Sequence, residues 1–289
     1  MPIKDHPSFV RPPASVSLWR YVDLPKFTSL LTSQSLWLTN VEVLAESDPR
    51  EGLLSPVQFP HRIWTKIGDI PQPFRNQVIQ HYGKNGTPEE AFKSFMMTEE
   101  QLCTMNKFGR RDYYVSCWHA AQRESIAMWK IYASPGAGVA IVTNEERLED
   151  SLRSNERDLY LGGVKYVDPD LAQIGPTNGF DNLMVKRDSF SYEREVRLVH
   201  WDTSEVHDAL KNFKWNPDTL RFEDIIEDTR PITQGISFPC NIEKLVEKVI
   251  VSPFCPPWYL SMIRELVEKL ELSFDIVPSK LLNEPELIP

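Results

Sequence analysis

The chain has 289 residues, of which 41% are hydrophobic and 25% charged, the composition of an ordinary globular protein with a sizeable core. Its net charge of −9 disfavours non-specific binding to nucleic acid or to an anionic membrane. No apolar run approaches the roughly 20 residues that span a bilayer, and the four cysteines form no C-x-x-C pair. We therefore expect a cytoplasmic protein with reduced thiols, no membrane partner and no metal ligand.

The first part of the chain predicts an arm followed by a strand, a short helix and a second strand. Residues 1–14 are polar and interrupted by prolines, which is typical of a loose N-terminal arm. Strand composition follows in Ser17–Tyr21 and again in Leu36–Asn40. Between them, Leu24 to Leu31 has apolar residues at helical spacing.

Residues 41–112 predict a helical insertion. Thr87 and Glu90 form a capping box with a proline at the first helical position, so a helix should begin there and run to about Met105. We expect its apolar stripe to pack against the body of the protein rather than to hold a cofactor.

From Asp112 onward the sequence favours strands separated by turns and helices. A helix is predicted at Arg123–Ala133, and another after a capping box formed by Thr143 and Glu146. The tail from Leu245 indicates strand, helix and strand. The predicted strands of this half are Tyr113–Trp118, Gly138–Thr143, Leu159–Val167 and Glu193–Trp201.

These elements predict a single α+β domain over residues 1–289, with a central, mostly antiparallel sheet and the insertion packed over one end. The predicted core includes side chains from most of the strands. Its members are Trp37, Trp129, Val139, Ile141, Val196, Leu198, Val249 and Val251.

The segment "KRDSFSYEREVRLVHW" predicts a functional site. In a strand the side chains alternate between two faces, so Glu193, Glu195 and Arg197 share one face while Val196 and Leu198 face the core. Two carboxylates that project together suit acid, base or electrostatic chemistry, and we take Glu195 and Glu193 as the candidate catalytic residues. The alternative is an acidic face that is simply solvated or is neutralised by Arg197 and Lys186.

Several segments together resemble a bacterial family of uncharacterised proteins. They are "LWRYVDLPKFTSLLTSQSLWLTN", "SDPREG", "VSCWH", "ESIAMWKIYASPGAGVAI", "GGVKYVD", "KRDSFSYEREVRL" and the C-terminal "VIVSPFCPPWYLSMIRELVEKLELSFDIVPSKL". In order and over most of the chain they resemble the family catalogued as domain of unknown function 2971. Members usually show N-D-P-F-E where this chain has "SDPREG". The resemblance implies a defined domain and brings no established reaction.

The order of the polar strands is also similar to that of arginine–serine–glutamate ADP-ribosyltransferases, with Arg20, Ser116 and the Glu193–Glu195 pair in the matching order. Cys117 follows Ser116, so the S-T-S motif is absent. This resemblance implies an ADP-ribosyltransferase-like fold, NAD as the substrate, and a toxin or phage-defence effector with a protein or nucleic-acid target.

The same resemblance implies a role for each matched residue. Arg20 would hold the pyrophosphate of NAD, and Ser116 would lie in the cofactor site. Glu195 would stabilise positive charge on the ribose, and Glu193 would orient the acceptor. The nicotinamide ring would be covered by Tyr21, Trp118 or Tyr132.

Two other functions fit the same residues. Asp48, Glu51 and Glu195 have the oxygen ligands of a magnesium site, with Lys186 nearby, as in a metal-dependent phosphodiesterase or nuclease. A non-catalytic ligand-sensing or interaction module is the third alternative. Labelling by NAD, magnesium-dependent cleavage of nucleic acid, or binding without turnover distinguishes the three.

Overall fold

The computed structural model describes residues 3–53, 64–83, 86–133, 136–168, 179–204, 215–216, 221–222 and 231–283. The strands of this part are β1 (Ile3–Lys4), β2 (Leu18–Asp23), β3 (Ser35–Asn40), β4 (Tyr113–Ala120), β5 (Gly138–Thr143), β6 (Leu159–Gly163), β7 (Lys165–Val167), β8 (Val185–Arg187), β9 (Glu195–Trp201), β10 (Trp215–Asn216), β11 (Arg221–Phe222), β12 (Gly235–Pro239), β13 (Lys248–Val251) and β14 (Asp275–Pro278).

Ten of these strands form one mixed sheet in the order β1-β6-β9-β4-β2-β5-β13-β14, with β3 joined to β4 and to β12. Within that sheet β1 pairs with β6 and β13 with β14 in parallel, and the other described pairings are antiparallel. The strands β7 and β8 form a small parallel pair beside it. The predicted α+β class with a mostly antiparallel central sheet is confirmed.

The sheet forks at β4. The first half of β4 pairs with β3, through Val115 opposite Thr39, and the second half pairs with β2, through His119 opposite Trp19. The strands β2 and β3 therefore separate opposite residues 116–118, while β9 pairs with β4 along its whole opposite edge. On this side of β4, residues 116–118 lie between the part that pairs with β3 and the part that pairs with β2.

The helices of the described residues are α1 (Leu24–Ser33), α2 (Val41–Leu44), α3 (Phe74–Tyr82), α4 (Pro88–Gly109), α5 (Ile126–Tyr132), α6 (Glu145–Ser151), α7 (Gly179–Leu183), α8 (Ile242–Leu245) and α9 (Trp258–Lys269). The predicted capping box of α4 is confirmed, because the Thr87 and Glu90 side chains each accept the other's backbone N–H. For α6 the cap is Asn144, not Thr143: the Thr143 hydroxyl donates to the Leu245 carbonyl instead. No helix of the described residues is long and apolar enough to cross a membrane.

The large sheet has two packed faces. On the face we call the α1 face, Leu18, Val22, Trp118, Val196 and Leu198 form the main core with side chains of α1 and α9. The opposite α5 face carries a second core, in which Trp19, Tyr21, Ala140 and Val142 pack against Met128 and Trp129 of α5. Both faces carry a packed core, so polar side chains at the centre of the sheet, such as Ser116, His119 and Arg197, are buried.

The described residues between 41 and 112 hold helices α2, α3 and α4. A hydrophobic cluster of its own lies here, with Ile70, Val78 and Phe95 buried and Phe92 and Met96 packed against them. Phe92, Phe95 and Met96 of the predicted α4 stripe therefore belong to this cluster. The assignment of these residues as an insertion within a single domain stays a prediction.

The structure corrects two expectations about packing. The described part of the N-terminal arm is packed rather than loose: Ile3 is buried in the parallel pairing with β6, and the buried Phe9 ring stacks on Tyr160. Trp37, predicted to be core, is 44% exposed because its neighbours Leu36 and Leu38 take the buried positions of β3. The other predicted core residues are buried.

Candidate active site at the start of strand β9

The acidic residues of "YEREVRL" lie where a 3₁₀ helix meets β9. Glu193 is the last residue of the 3₁₀ helix Asp188–Glu193, and Glu195 is the first residue of β9. Arg194 between them has a φ of 41°, in the left-handed region. The prediction that both glutamates belong to one strand is therefore wrong for Glu193, yet the turn still brings both carboxylates to the same ammonium group.

That ammonium group belongs to Lys186 on β8. Its Nζ lies 2.6 Å from Glu193 Oε2 and 3.2 Å from Glu195 Oε2. A third carboxylate, that of Glu51, is 4.0 Å away. All three carboxylates are almost fully buried. Charged groups at these distances interact strongly because little water screens them.

Arg197 completes the group from β9. Its Nε donates to Glu195 Oε1 at 2.8 Å, while Nη1 and Nη2 donate to the two oxygens of Glu51 at 2.6 and 3.0 Å. The Leu183 carbonyl accepts a further hydrogen bond, and the guanidinium has no exposed surface. We call Glu51, Glu193, Glu195, Lys186 and Arg197 the carboxylate cluster; its three carboxylates outnumber its two cations.

Glu51 reaches the cluster from the turn "SDPREG". Asp48 at the start of this turn pairs with Arg187 at 2.7 Å, and the Arg110 guanidinium donates to the Glu51 carbonyl at 3.3 Å. Gly52 has a φ of +67°, and a Cβ built there would lie 3.0 Å from Val41 Cγ1. Glycine is required because it adopts this conformation without cost and leaves room for the packed turn.

The charges of the cluster are fixed by their neighbours. Burial raises the pKa of Glu195, but the charges of Arg197 and Lys186 outweigh it and lower that pKa to about 2. Burial lowers the pKa of Arg197, but Glu195 and Glu51 raise it well above its ordinary value. The same balance, with Glu195 as the largest attraction, raises the pKa of Lys186. All three groups are ionised at neutral pH.

Aromatic side chains close the cluster on its outer side. The Tyr132 hydroxyl at the end of α5 donates to Glu193 Oε1. Tyr132 and Tyr192 are each 42% exposed, and the Phe190 ring lies under Lys186 Nζ, 4.8 Å from it. The Tyr132 side chain therefore contacts the buried Glu193 carboxylate through its hydroxyl while part of the same side chain is exposed.

Two residues not selected from the sequence support the site on the α5 face. His119 Nδ1 lies 2.6 Å from the Glu193 carbonyl, which can only accept, so Nδ1 carries the proton and Nε2 keeps a lone pair. Burial lowers the pKa of His119, which favours this neutral form. The Tyr166 hydroxyl accepts the Glu195 N–H at 2.7 Å. His119 is two residues beyond Cys117, so strand alternation was the sequence signal for its position.

The structure divides the residues that the sequence grouped together. On β4, Ser116 lies opposite Leu198 and Trp118 opposite Val196, which places both on the α1 face. Arg20 is on the same face, because its guanidinium lies 5.7 Å from the centre of the Trp118 ring.

Tyr21 lies on the α5 face with the acidic residues, and its ring is 6.2 Å from His119, which is itself opposite Glu195. The predicted Arg20–Ser116–Glu195 constellation is therefore not assembled: the sheet stands between its arginine and serine and its glutamate. The structure does bring Glu193, Glu195 and Tyr132 together around Lys186, and it places the Tyr21 ring next to His119.

The arrangement also bears on the metal-dependent alternative. Arg197 pairs with both Glu51 and Glu195, so a cation already neutralises the carboxylates that magnesium would need. Asp48 pairs instead with Arg187. Across the described residues there is no group of three or more His, Cys, Asp or Glu side chains that is suited to a metal ion. These contacts argue against the phosphodiesterase alternative.

Comparison with known proteins gives one structural similarity. No family model matches the chain, so the resemblance to domain of unknown function 2971 is not supported, and no curated protein matches its sequence. Among solved structures, Thermus sp. 2.9 DarT in complex with ADP-ribosylated ssDNA matches with 10% identity, over 93% of this chain and 96% of that chain, at a TM-score of 0.35. A TM-score this low does not establish a shared fold.

Proposed function

We propose that the protein is an ADP-ribosyltransferase-like enzyme that uses NAD as its substrate, with the carboxylate cluster as its active site. The observation that carries this proposal is a buried group of three carboxylates and two cations, in which Glu195, Arg197 and Lys186 are ionised and Glu193 is hydrogen-bonded to the half-exposed Tyr132.

The energetics of the cluster favour a functional role. Removing five charged groups from water costs several kcal/mol for each ion, and mutual attraction repays this only with excellent geometry. Well-packed apolar residues of similar volume often give equal or greater stability at such positions. Perturbed pKa values are also concentrated at functional sites. Stability alone therefore does not explain why the chain carries this cluster.

The ionised state of Glu195 limits the kind of reaction in which it can take part. With its pKa at about 2, Glu195 is not a proton donor near neutral pH, so the role we propose for it suits a bond whose leaving group needs no protonation. The nicotinamide of NAD is such a group, because it is positively charged before the bond to ribose breaks. When it departs with the electron pair as neutral nicotinamide, positive charge develops on the ribose, and nearby carboxylates stabilise that charge.

The contacts assign different roles to the two glutamates. Glu195 is held on both oxygens by Arg197 and also by Lys186, so it serves as a fixed negative charge. Glu193 Oε1 accepts a hydrogen bond from the Tyr132 hydroxyl. In this proposal Tyr132 moves aside when NAD binds, and Glu193 Oε1 then contacts the ribose. In the sequence-based assignment Glu195 stabilised the charge on the ribose and Glu193 oriented the acceptor, whereas here Glu193 is the carboxylate that would contact the ribose. The neutral His119, with its lone pair on Nε2, is the candidate to accept the proton of the attacking group.

Half-exposed aromatic side chains next to the carboxylate cluster suit the planar rings of NAD. Tyr132 and Tyr192 are both half-exposed, and the Phe190 and Tyr192 rings lie 6.5 Å apart. Such side chains cover a nicotinamide or adenine ring by stacking. The target that receives ADP-ribose is a protein or nucleic acid of unspecified kind in this proposal.

The test compares the wild type with Glu193→Gln, which keeps the shape of the side chain and removes its charge. Each protein is incubated with NAD labelled in the adenylate part, with and without cell extract, and both nicotinamide release and transfer are measured. We expect the variant to lose about a hundred- to a thousandfold in rate, as on removal of one electrostatic contact to a transition state.

Glu149→Gln is the matched control, because Glu149 is a partly buried carboxylate 3.9 Å from Arg11 and outside the cluster. It should keep wild-type activity. Wild-type protein that binds NAD without releasing nicotinamide would favour the ligand-sensing alternative, and wild-type protein that neither binds nor cleaves NAD would refute the proposal.

A further inference from the structure

The N-terminal arm follows a close path over strand β6. A Cβ built on Gly162 would lie 2.8 Å from Phe9 Cα and 3.0 Å from the Val10 nitrogen, so the backbone of the arm reaches β6 only because this position is glycine. The next residue of β6, Gly163, donates its N–H to the Val10 carbonyl at 2.9 Å. The arm is therefore fixed on the body of the protein, although the sequence predicts a loose segment.

The arm also holds helix α7. The Phe9 ring contacts the Phe180 ring edge to face, with the ring centres 5.2 Å apart, and the Ser8 hydroxyl donates to Asp181 Oδ1 at 2.5 Å. Phe9, Phe180 and Leu183 belong to one buried cluster. A helix of five residues is not stable by itself, so the position of α7 depends on contacts such as these.

Helix α7 leads directly into the carboxylate cluster. The carbonyl of its last residue, Leu183, accepts a hydrogen bond from Arg197 Nη1. Strand β8 begins shortly after and carries Lys186, whose ammonium group donates to two carboxylates of the cluster at 2.6 and 3.2 Å. Both cations of the cluster are thus connected to the arm through one short helix.

We propose that the N-terminal arm positions the two cations of the carboxylate cluster through helix α7, with Ser8 and Phe9 as the positioning residues. While the arm is docked, α7 is held, its last carbonyl stays on Arg197 and Lys186 stays between its carboxylates. Release of the arm loosens this arrangement without unfolding the sheet, because β9 stays paired with β4 along its whole length. The effect of the arm on catalysis rests on the proposed function, whereas its effect on the cluster does not.

Proton exchange at the Arg197 guanidinium reports the state of the cluster without reference to any reaction. The buried Nε–H donates to Glu195, which protects it from exchange with water, and NMR of isotope-labelled protein follows this proton. Ser8→Ala removes the hydrogen bond to α7, and Phe9→Ala removes the ring contact. We expect exchange to be about tenfold faster in Ser8→Ala, as for the loss of one hydrogen bond, and faster still in Phe9→Ala.

Two controls separate positioning from general stability. Arg11→Gln removes the ion pair between the same arm and helix α6, 2.9 Å long, and leaves the contacts with α7 in place. Phe27→Ala removes a buried phenylalanine ring from α1 in the main core. Both controls should show the exchange rate of the wild type at Arg197.

The proposal is overturned if Ser8→Ala and Phe9→Ala both exchange as the wild type does. It is also overturned if either control accelerates exchange at Arg197 as much as Phe9→Ala, because the effect would then not pass through α7. Should Phe9→Ala fail to fold, Phe9→Leu takes its place beside Ser8→Ala.

Nicotinamide release from NAD tests the consequence for catalysis in the same variants. A displacement of about 1 Å at reacting groups can cost about a hundredfold in rate, so Phe9→Ala should lower kcat by about ten- to a hundredfold and leave KM for NAD nearly unchanged. Arg11→Gln should keep the kcat of the wild type. Faster exchange at Arg197 with unchanged kcat would overturn the catalytic role of the arm. Wild-type protein that releases no nicotinamide would refute the proposed function alone, since the exchange measurement still decides whether the arm positions the cluster.

Discussion

Arg197 joins carboxylates from distant parts of the sequence. Its guanidinium holds Glu51, which lies 146 residues away, and Glu195, which lies two residues away on the same face of β9. The group is fully buried, so within the described structure its positive charge is stabilised chiefly by these two carboxylates and the Leu183 carbonyl. Removal of one member of such a group leaves uncompensated buried charge on the others.

Arg197→Met should therefore destabilise the protein by about 3–5 kcal/mol, although methionine fills much of the same volume. The loss is measured as the free energy of unfolding in urea. The control is Arg153→Met, because Arg153 pairs with Asp150 at 2.6 Å and both side chains of this pair are at least one-third exposed. Removing this less buried ion pair should cost about 1 kcal/mol or less. Equal losses in the two variants would contradict the view that Arg197 organises the cluster.

The residues of the site were predictable from the sequence to different degrees. Alternation within one segment suffices to place Glu195 on the face of Arg197, and short separation keeps Glu193 nearby. The position of Glu51 depends on a turn far away in sequence. Arg20 and Ser116 were grouped with Glu195 because their order fits, but order does not fix the face. The face on which each side chain lies depends on the register between β2, β4 and β9, because a shift of one residue exchanges the two faces.

At the scale of elements, helix α5 covers the second core and ends at the active site. Met128, Trp129 and Ala133 are buried against Tyr21, Ala140 and Val142, while Ile126 is 40% exposed. The helical spacing of Ile126, Trp129 and Ala133 predicts one buried stripe, with Met128 at the cleft. The structure buries Trp129 and Ala133 but exposes Ile126, and it places Met128 in the core. A seven-residue helix that begins at Ile126 has too few turns for its periodicity to define the buried side accurately.

Trp129→Ala should cost about 3–5 kcal/mol in unfolding free energy, because it empties a large buried volume. It also removes the hydrogen bond from the indole Nε1 to Glu124, which is 3.0 Å long. Ile126→Ala on the exposed side of the same helix should change stability by about 0.5 kcal/mol or less. A Trp129→Ala variant with the melting temperature of the wild type would show that α5 is not packed as described.

The turn that carries Glu51 gives a second test at this scale. Gly52→Ala places a Cβ at a positive φ, which costs about 1–2 kcal/mol for an L-residue, and crowds Val41 and Leu183. We expect lower stability and, because Glu51 is displaced, lower activity. Gly109→Ala is the matched control: this glycine ends α4 with nothing within 4 Å of the added Cβ, so alanine should be neutral or slightly stabilising. Comparable losses in both variants would indicate that the conformation of Gly52 is not required.

For the whole molecule, the sheet was largely predictable because most of its strands are buried and rich in β-formers. The segments for β2, β3, β4 and β5 were placed within a few residues. The predicted strand Leu159–Val167 is instead two strands, β6 and β7, which break at Val164 and join different sheets. The fork at β4 also has no local signature, because it arises from how β2 and β3 share one edge. Pairing over long sequence distances is therefore what the sequence left undetermined.

Acid stability is a property of the whole molecule that follows from these buried groups. The pKa of Glu195 is about 2 in the folded protein against an ordinary value of 4.5, so the unfolded chain binds this proton first. The stability that Glu195 contributes is complete above about pH 4.5 and is lost as the pH falls towards 2. Burial also lowers the pKa of His119 and His200 below 6.5, so the unfolded chain takes up their protons first as well. Unfolding free energy should accordingly begin to fall below about pH 6.5 and fall further below about pH 4.5.

Urea unfolding between pH 7 and pH 3 measures both steps, and Glu195→Gln separates them. The variant has no titrating carboxyl at this position, so it should be less stable than the wild type at pH 7 but should lose less on acidification below pH 4.5. The step near pH 6.5 should remain, because His119 and His200 are unchanged. His200→Gln is the complementary variant, since His200 is outside the carboxylate cluster and bonds to the Asp158 carbonyl. It should reduce the upper step and leave the lower one. If Glu195→Gln instead shows the full wild-type slope below pH 4.5, the lowered pKa belongs to other carboxyl groups, and Glu195 is not the fixed charge on which the proposed chemistry depends.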